Sequence, residues 1–214
     1  MRNPEIAGPF PAPASRELNW SPGPRAARAR QKLMDNAKQL FLQIGYEGVS
    51  IEDITRAAGM SRASFYVYFP SKRNLFLALG VDARTGADSI IDALAAVDDH
   101  ADAAGLERVV RTALAYFDAF GAFDRVWRQV ASHDDDLKQA GRQQELGFGR
   151  RLGAELERLR QKAIGDRGLQ GLAFLAMLEG VWYFLRSGPS VYGDEEVVAD
   201  LLEAARLMVR PDDT

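Results

Sequence analysis

The chain has 214 residues, 47% hydrophobic and 27% charged, and contains no cysteine. This is the composition of a folded chain of one large or two modest domains, and the missing thiols exclude disulfides, thiolate metal sites, cysteine nucleophiles and thiol redox sensing. The net charge of −3 is unevenly spread: residues 1–80 carry 11 Lys/Arg against 6 Asp/Glu and residues 81–214 carry 16 against 24, so a basic front can hold phosphate although the whole is acidic.

The first 24 residues hold six prolines and little periodicity and are expected to form a flexible arm (residues 1–24), with Trp20 either an anchor or an exposed aromatic. Pro4, Gly8, Pro9, Pro11 and Pro13 break up any signal-peptide core. The longest apolar run, Leu172–Leu178, ends at Glu179, short of the ~20 residues of a spanning helix. No membrane partner and a cytoplasmic location are therefore expected. Arg25, Arg28 and Arg30 open a helix over 25–44, whose apolar side is Leu33, Ala37, Leu40, Phe41 and Ile44. Gly45 stops it. Ser50 and Asp53 form a capping-box pattern before a short helix, Ile51–Ala58, that breaks at Gly59. Ser61 caps another, to about Val67, and Pro70 and Ser71 mark the start of a long helix over 71–97. Further helices fit 105–120, 123–132, 135–163, 168–187 and 194–209, with Gly105, Gly121, Gly165, Gly168, Gly188 and Pro189 at the joints. No segment alternates as a strand would. The expected class is all-α.

Residues 51–67 have the spacing of a helix-turn-helix. Gly59 supplies the positive φ of a tight turn, and Ile54, Ala57, Ala58, Met60, Phe65 and Phe69 are its expected inner face. Residues 30–75 closely resemble the DNA-binding domain of the TetR family of transcriptional regulators. The resemblance rests on Ala37–Leu40–Phe41, Gly45–Tyr46, Val49–Ser50–Ile51, Ile54, Ala57–Ala58–Gly59–Met60–Ser61, Phe65–Tyr66–Val67–Tyr68–Phe69 and Ser71–Lys72–Leu75. Thr55 departs from the family's usual alanine and either reaches phosphate or is simply tolerated. The resemblance implies an N-terminal three-helix helix-turn-helix domain (25–75) and a larger C-terminal helical ligand-binding and dimerisation domain (76–214).

It also implies that Ser61 to Tyr66 enter the major groove and present Arg62, Ala63 and Ser64 to base edges. Arginine donates bidentately to guanine, a contact of about 1–3 kcal/mol of discrimination, and Ala63 suits a thymine methyl. Tyr66, Tyr68 and Lys72 suit phosphate oxygens. Ser50 and Ser61 are caps first and phosphate contacts second. On spacing alone, Tyr66 and Tyr68 are equally well read as half-buried aromatics and Arg62 as a solvated charge.

In the rear, 168–187 is apolar nearly all round, so one side is expected to meet the core and the other a second subunit. Val198, Leu201, Leu202, Ala205 and Met208 form a stripe on the last helix. The resemblance implies a homodimer through the last two long helices. It also implies a pocket for a small apolar or aromatic effector, with Phe117, Phe120, Trp127, Gln144, Phe148, Phe174, Met177 and Trp182 as candidate lining, although each fits a core position as well. The glycines at 147, 149 and 153 do not form a dinucleotide loop, since no strand precedes them. His133 with Asp134–Asp136 reads as an acidic helix start before a metal site. No cofactor, metal or catalytic residue is expected. The reading is a sequence-specific transcriptional regulator, a repressor released from operator DNA by its ligand. A ligand-independent activator or architectural binder, and a helical carrier or enzyme, stand as alternatives.

Overall fold

A computed structural model describes residues 23–98, 100, 102–163, 165–189 and 192–209. The expected arm, Trp20 included, lies outside them except for Gly23 and Pro24. Among the described residues there are eight helices and no strand: α1 (Pro24–Ile44), α2 (Ile51–Ala57), α3 (Arg62–Tyr68), α4 (Lys72–Ala95), α5 (Ala103–Ala131), α6 (Asp135–Arg160), α7 (Arg167–Arg186) and α8 (Asp194–Val209). The described residues divide into two compact units, 23–80 with Val126–Gln143, and Val81–Arg125 with 144–209.

The ends of the front helices follow from local chemistry. Pro24 starts α1, where its fixed φ and missing N–H are harmless, and Gly45 ends it at φ +76°. Ser50 accepts from the Asp53 N–H at 3.1 Å while the Asp53 carboxylate accepts from the Ser50 N–H at 3.0 Å, the reciprocal box that starts α2. Ser61 caps α3 by accepting from the Ser64 N–H at 3.1 Å.

Gly121 does not divide α5. Two helices with a joint there were expected, but one helix of 29 residues runs through it. The reason lies in packing: a Cβ at Gly121 would stand 2.5 Å from the Trp182 ring. The glycine accommodates the indole, and the gain in close packing offsets a helix-interior penalty of about 1 kcal/mol.

The core of the second unit gathers Ile90, Leu94, Val109, Val110, Phe117, Leu152, Leu156, Phe174, Leu178, Val198, Leu201 and Ala205. Here α6 and α7 cross at backbone range. A Cβ on Gly171 would lie 2.0 Å from the Gly149 carbonyl oxygen, and one on Gly153 would lie 1.9 Å from that of Arg167. These glycines are thus contact points between helices, whereas a Cβ on Gly147 would meet nothing within 4 Å. One side of α7 buries Phe174, Leu178 and Trp182. The other exposes Leu169, Ala173, Ala176, Gly180, Tyr183 and Phe184, with Leu169 at 63% and Phe184 at 69% exposure. The uninterrupted apolar run ends at Glu179, yet among the described helices α7 alone is long and apolar enough to cross a membrane by length and composition.

Two glycines on the same helix pair should therefore respond oppositely to alanine. Gly171→Ala is expected to lower stability by about 1–3 kcal/mol through overpacking. Gly147→Ala should raise it by about 0.5–1 kcal/mol through backbone entropy. Urea unfolding midpoints check both; a neutral Gly171→Ala would contradict the backbone-range crossing.

Candidate nucleic-acid interface

The helix-turn-helix lies wholly within the first unit. Leu33, Ala37 and Phe41 of α1 are buried along with Ile54, Ala58, Phe65 and Phe69. The turn closes through the Met60 N–H on the Thr55 carbonyl at 2.8 Å and the Gly59 N–H on the Arg56 carbonyl at 3.1 Å, with Gly59 at φ +60°. Ala57 and Met60 were expected inside; Ala57 is exposed and Met60 half-buried. Helix α3 has seven residues, too few to persist alone in water. Its position is set by Phe65 and Phe69, both buried, with the Arg30 guanidinium 5.0 Å over the Phe69 ring.

The outward side of α3 carries Arg62, Ala63, Tyr66 and Val67, all exposed. Arg62 is engaged at both ends of its fork: Nη1 pairs with Oε1 of Glu52, and Nη2 donates to the Tyr66 hydroxyl at 3.3 Å. Those two partners, the hydroxyl first, hold its pKa above the ordinary arginine value. Ser61 and Ser64 share a hydroxyl–hydroxyl bond of 2.8 Å. The Ser50 hydroxyl donates to Asp53 at 2.5 Å and, with the Ser50 N–H, holds that carboxyl below the usual carboxylate range. Tyr68 is half-buried.

Lys72, expected at phosphate, and Thr55, read as either a phosphate contact or a tolerated substitution, are both occupied inside the fold. Thr55 is only 4% exposed and donates its hydroxyl to the Glu52 carbonyl at 3.1 Å. Lys72 donates from Nζ to the carbonyls of Tyr46 and Val49 at 2.8 and 2.9 Å and lies 4.2 Å from the Tyr46 ring centre. It ties the first turn of α4 to the loop after α1. No spacing rule links Lys72 to carbonyls 26 and 23 residues earlier, and sequence reasoning missed Glu52 for the same reason: its partner sits ten positions on, across the turn.

The same unit holds the corner between α5 and α6. Trp127 stacks on Phe76 (5.1 Å, 9°) and would meet a Cβ on Gly80 at 2.5 Å. Asp134 caps α6 through the Leu137 N–H and accepts from Arg73 at 3.1 and 3.3 Å. Trp127 thus lies in the first unit, and the remaining candidate ligand residues in the second. There Phe117, Phe174 and Trp182 are buried, with Phe148 and Met177 packed against that core. Trp182 lies 5.8 Å from Phe117 and donates its indole N–H to Asp118 at 2.8 Å. Phe120 stacks on Tyr116 at 5.5 Å. The Nε2 of Gln144 is buried with no hydrogen-bond partner.

Residues 33–79 match the family model for bacterial regulatory proteins of the tetR family. Over 62 residues the chain is 37% identical to the HTH-type transcriptional repressor AcnR of Corynebacterium glutamicum, a match covering 29% of this chain and 33% of that protein. The matched stretch thus spans about a third of the curated relative. A tetR-family regulator structure from Mesorhizobium loti superposes with TM-score 0.64 at 23% identity, covering 87% of this chain and 96% of the other. The flavonoid-responsive regulator FrrA gives TM-score 0.61 at 25% identity over 86% of this chain and 96% of its own.

Lys72→Ala removes a charged donor from two carbonyls and should destabilise the first unit by about 1.5–3 kcal/mol. Hydrogen exchange in 46–50, together with the unfolding midpoint, measures this. A variant of unchanged stability would return Lys72 to the free cations.

Proposed function

We propose that this chain, a member of the tetR family of bacterial regulatory proteins, acts as a homodimeric repressor that grips operator DNA with α3 and is released by a small apolar or aromatic effector. The observation that carries the reading is the two-sided construction of α3. Phe65 is buried in the head while Arg62, Ala63 and Tyr66 face outward from the same seven residues. Placed in a major groove, Arg62 has the donor fork for guanine O6 and N7, and Ala63 the apolar surface for a thymine methyl. Tyr66 and the hydroxyls of Ser61 and Ser64 then lie at the groove edge, where contacts fix register. Ser50, with its hydroxyl given to Asp53, contributes less, and Thr55 and Lys72 act from inside the fold.

Residues 25–75 form the DNA-binding part in this reading, and 76–214 the ligand-binding and dimerisation part. The exposed side of α7 suits a second copy of itself: Leu169, Ala173, Ala176, Gly180 and Tyr183 recur at helical spacing with small residues in the middle, where two backbones approach. A two-fold pairing makes one patch serve both partners and sets two reading helices about 34–36 Å apart, one turn of the duplex.

The effector site is assigned to the second unit, beside Phe148, Phe174 and Met177, with the unpartnered Gln144 amide as its polar contact. An apolar wall with a few fixed polar groups is the usual make-up of such sites, and FrrA, similar over most of its length, bears the name of a flavonoid-responsive regulator. Helices α4 and α5 each contribute residues to both units, so a shift imposed on them by a ligand carries to the head that bears α3. Couplings of this kind are typically about 1–3 kcal/mol. The protein acts in the cytoplasm, where its operator is.

Two variants test the assignment. Arg62→Ala should leave folding intact but change the sequences recovered from a random duplex pool, relaxing one base position by about 1–3 kcal/mol. Phe184→Glu places a charge in the pairing face and should sediment as a monomer with much weakened operator binding. An Arg62→Ala protein selecting the same sites, or a Phe184→Glu protein that stays dimeric, would count against the placement concerned.

A further inference from the structure

We infer that Glu52 is a specificity-determining residue that restrains Arg62 from phosphate while leaving it free to read a base, an inference that rests on the DNA-binding role proposed above. The pair joins the first turn of α2 to the first turn of α3. Its side chains are 46% and 61% exposed, and exposed ion pairs add little to stability. Packing does not require it either, because Phe65 and Phe69 seat α3. The neighbouring carboxylate of Asp53 is committed to the capping box and to Arg56 at 3.2 Å, whereas that of Glu52 is directed at the reading helix.

The consequence for selectivity follows from charge. On a random duplex the strongest acceptors for Arg62 are phosphates. Taking one removes the guanidinium from Glu52 and leaves a carboxylate among phosphates, a like-charge arrangement that opposes binding. A guanine edge offers neutral acceptors, O6 and N7. Arginine has five N–H donors in a fixed fork, so one edge can read guanine while another stays with Glu52, and the Tyr66 hydroxyl keeps the plane of the guanidinium. Glu52 therefore opposes the non-specific complex more than the specific one. Removing its charge should tighten the wrong complexes selectively.

The test uses the full chain and two labelled duplexes, a consensus selected by the unmodified protein and its scrambled counterpart, in anisotropy titrations across a salt series. Glu52→Gln should tighten the scrambled duplex about three- to fivefold, the order of one added phosphate contact, and steepen its salt slope by about 0.9. Affinity for the consensus should change less than about twofold, so the specificity ratio narrows. In an Arg62→Ala background the Glu52→Gln effect should vanish, and Glu47→Gln, which removes the same charge from an exposed site in the loop after α1, should leave the ratio unchanged. The inference is overturned if Glu52→Gln shifts both duplexes equally, if its effect survives in the Arg62→Ala background, or if Glu47→Gln narrows the ratio as much. An unmodified protein that selects no consensus would instead overturn the DNA-binding role itself, and this inference with it.

Discussion

Helix α3 is too short to hold itself, so everything proposed for it depends on the burial of Phe65 and Phe69 in the head. Each phenylalanine removes roughly 1.5–3 kcal/mol worth of apolar side chain from water, and both are buried, as are Leu33, Ala37, Phe41, Ile54 and Ala58 of the same unit. Burial of one side fixes which residues face outward, because side chains three and four apart share a helix face. Arg62 and Tyr66 are such a pair. The turn at Gly59 contributes the other constraint: with φ +60°, it brings α3 across α2 close enough for Glu52 to reach Arg62.

Polar groups around this head are largely spoken for by the fold. Ser50, Asp53, Ser61 and Ser64 satisfy helix ends, and Lys72 satisfies two loop carbonyls. Among the described residues, Arg62 and Tyr66 on α3 and Arg25 and Arg28 on α1 face outward. Such a division suits a DNA reader, in which most basic groups provide sequence-independent attraction and few side chains carry discrimination. The acidic surplus of residues 81–214 keeps the rest of the chain from competing for phosphate.

Much of this was legible in the sequence because the signals were local. The caps at Ser50 and Ser61, the stops at Gly45 and Gly59 and the bounds of α8 each depend on residues within a turn or two. Helix α5 shows where local reading fails. A glycine in a helical pattern marks either a break or a close approach, and Gly121 is resolved only by Trp182, 61 positions later. The glycines of α6 and α7 at 149, 153 and 171 are explained by one another across a crossing that no local pattern reveals. The same holds at the candidate interface. Lys72 carries the signature of a phosphate contact, yet its ammonium meets carbonyls that the chain's path delivers, and Thr55 turns its hydroxyl to its own helix. Ala57, read as inner by residue type, faces out, because a two-turn helix has too few positions for type alone to fix its phase.

The account stands on two heads engaging one face of a single duplex in consecutive major grooves. Inserting about 5 bp between selected half-sites rotates one half-site by half a turn, whereas about 10 bp restores the face. Anisotropy titration of the full chain against the original duplex and the half-turn insertion measures the geometry directly. The account predicts that the half-turn insertion abolishes high-affinity binding; equal affinity for the two duplexes would contradict it.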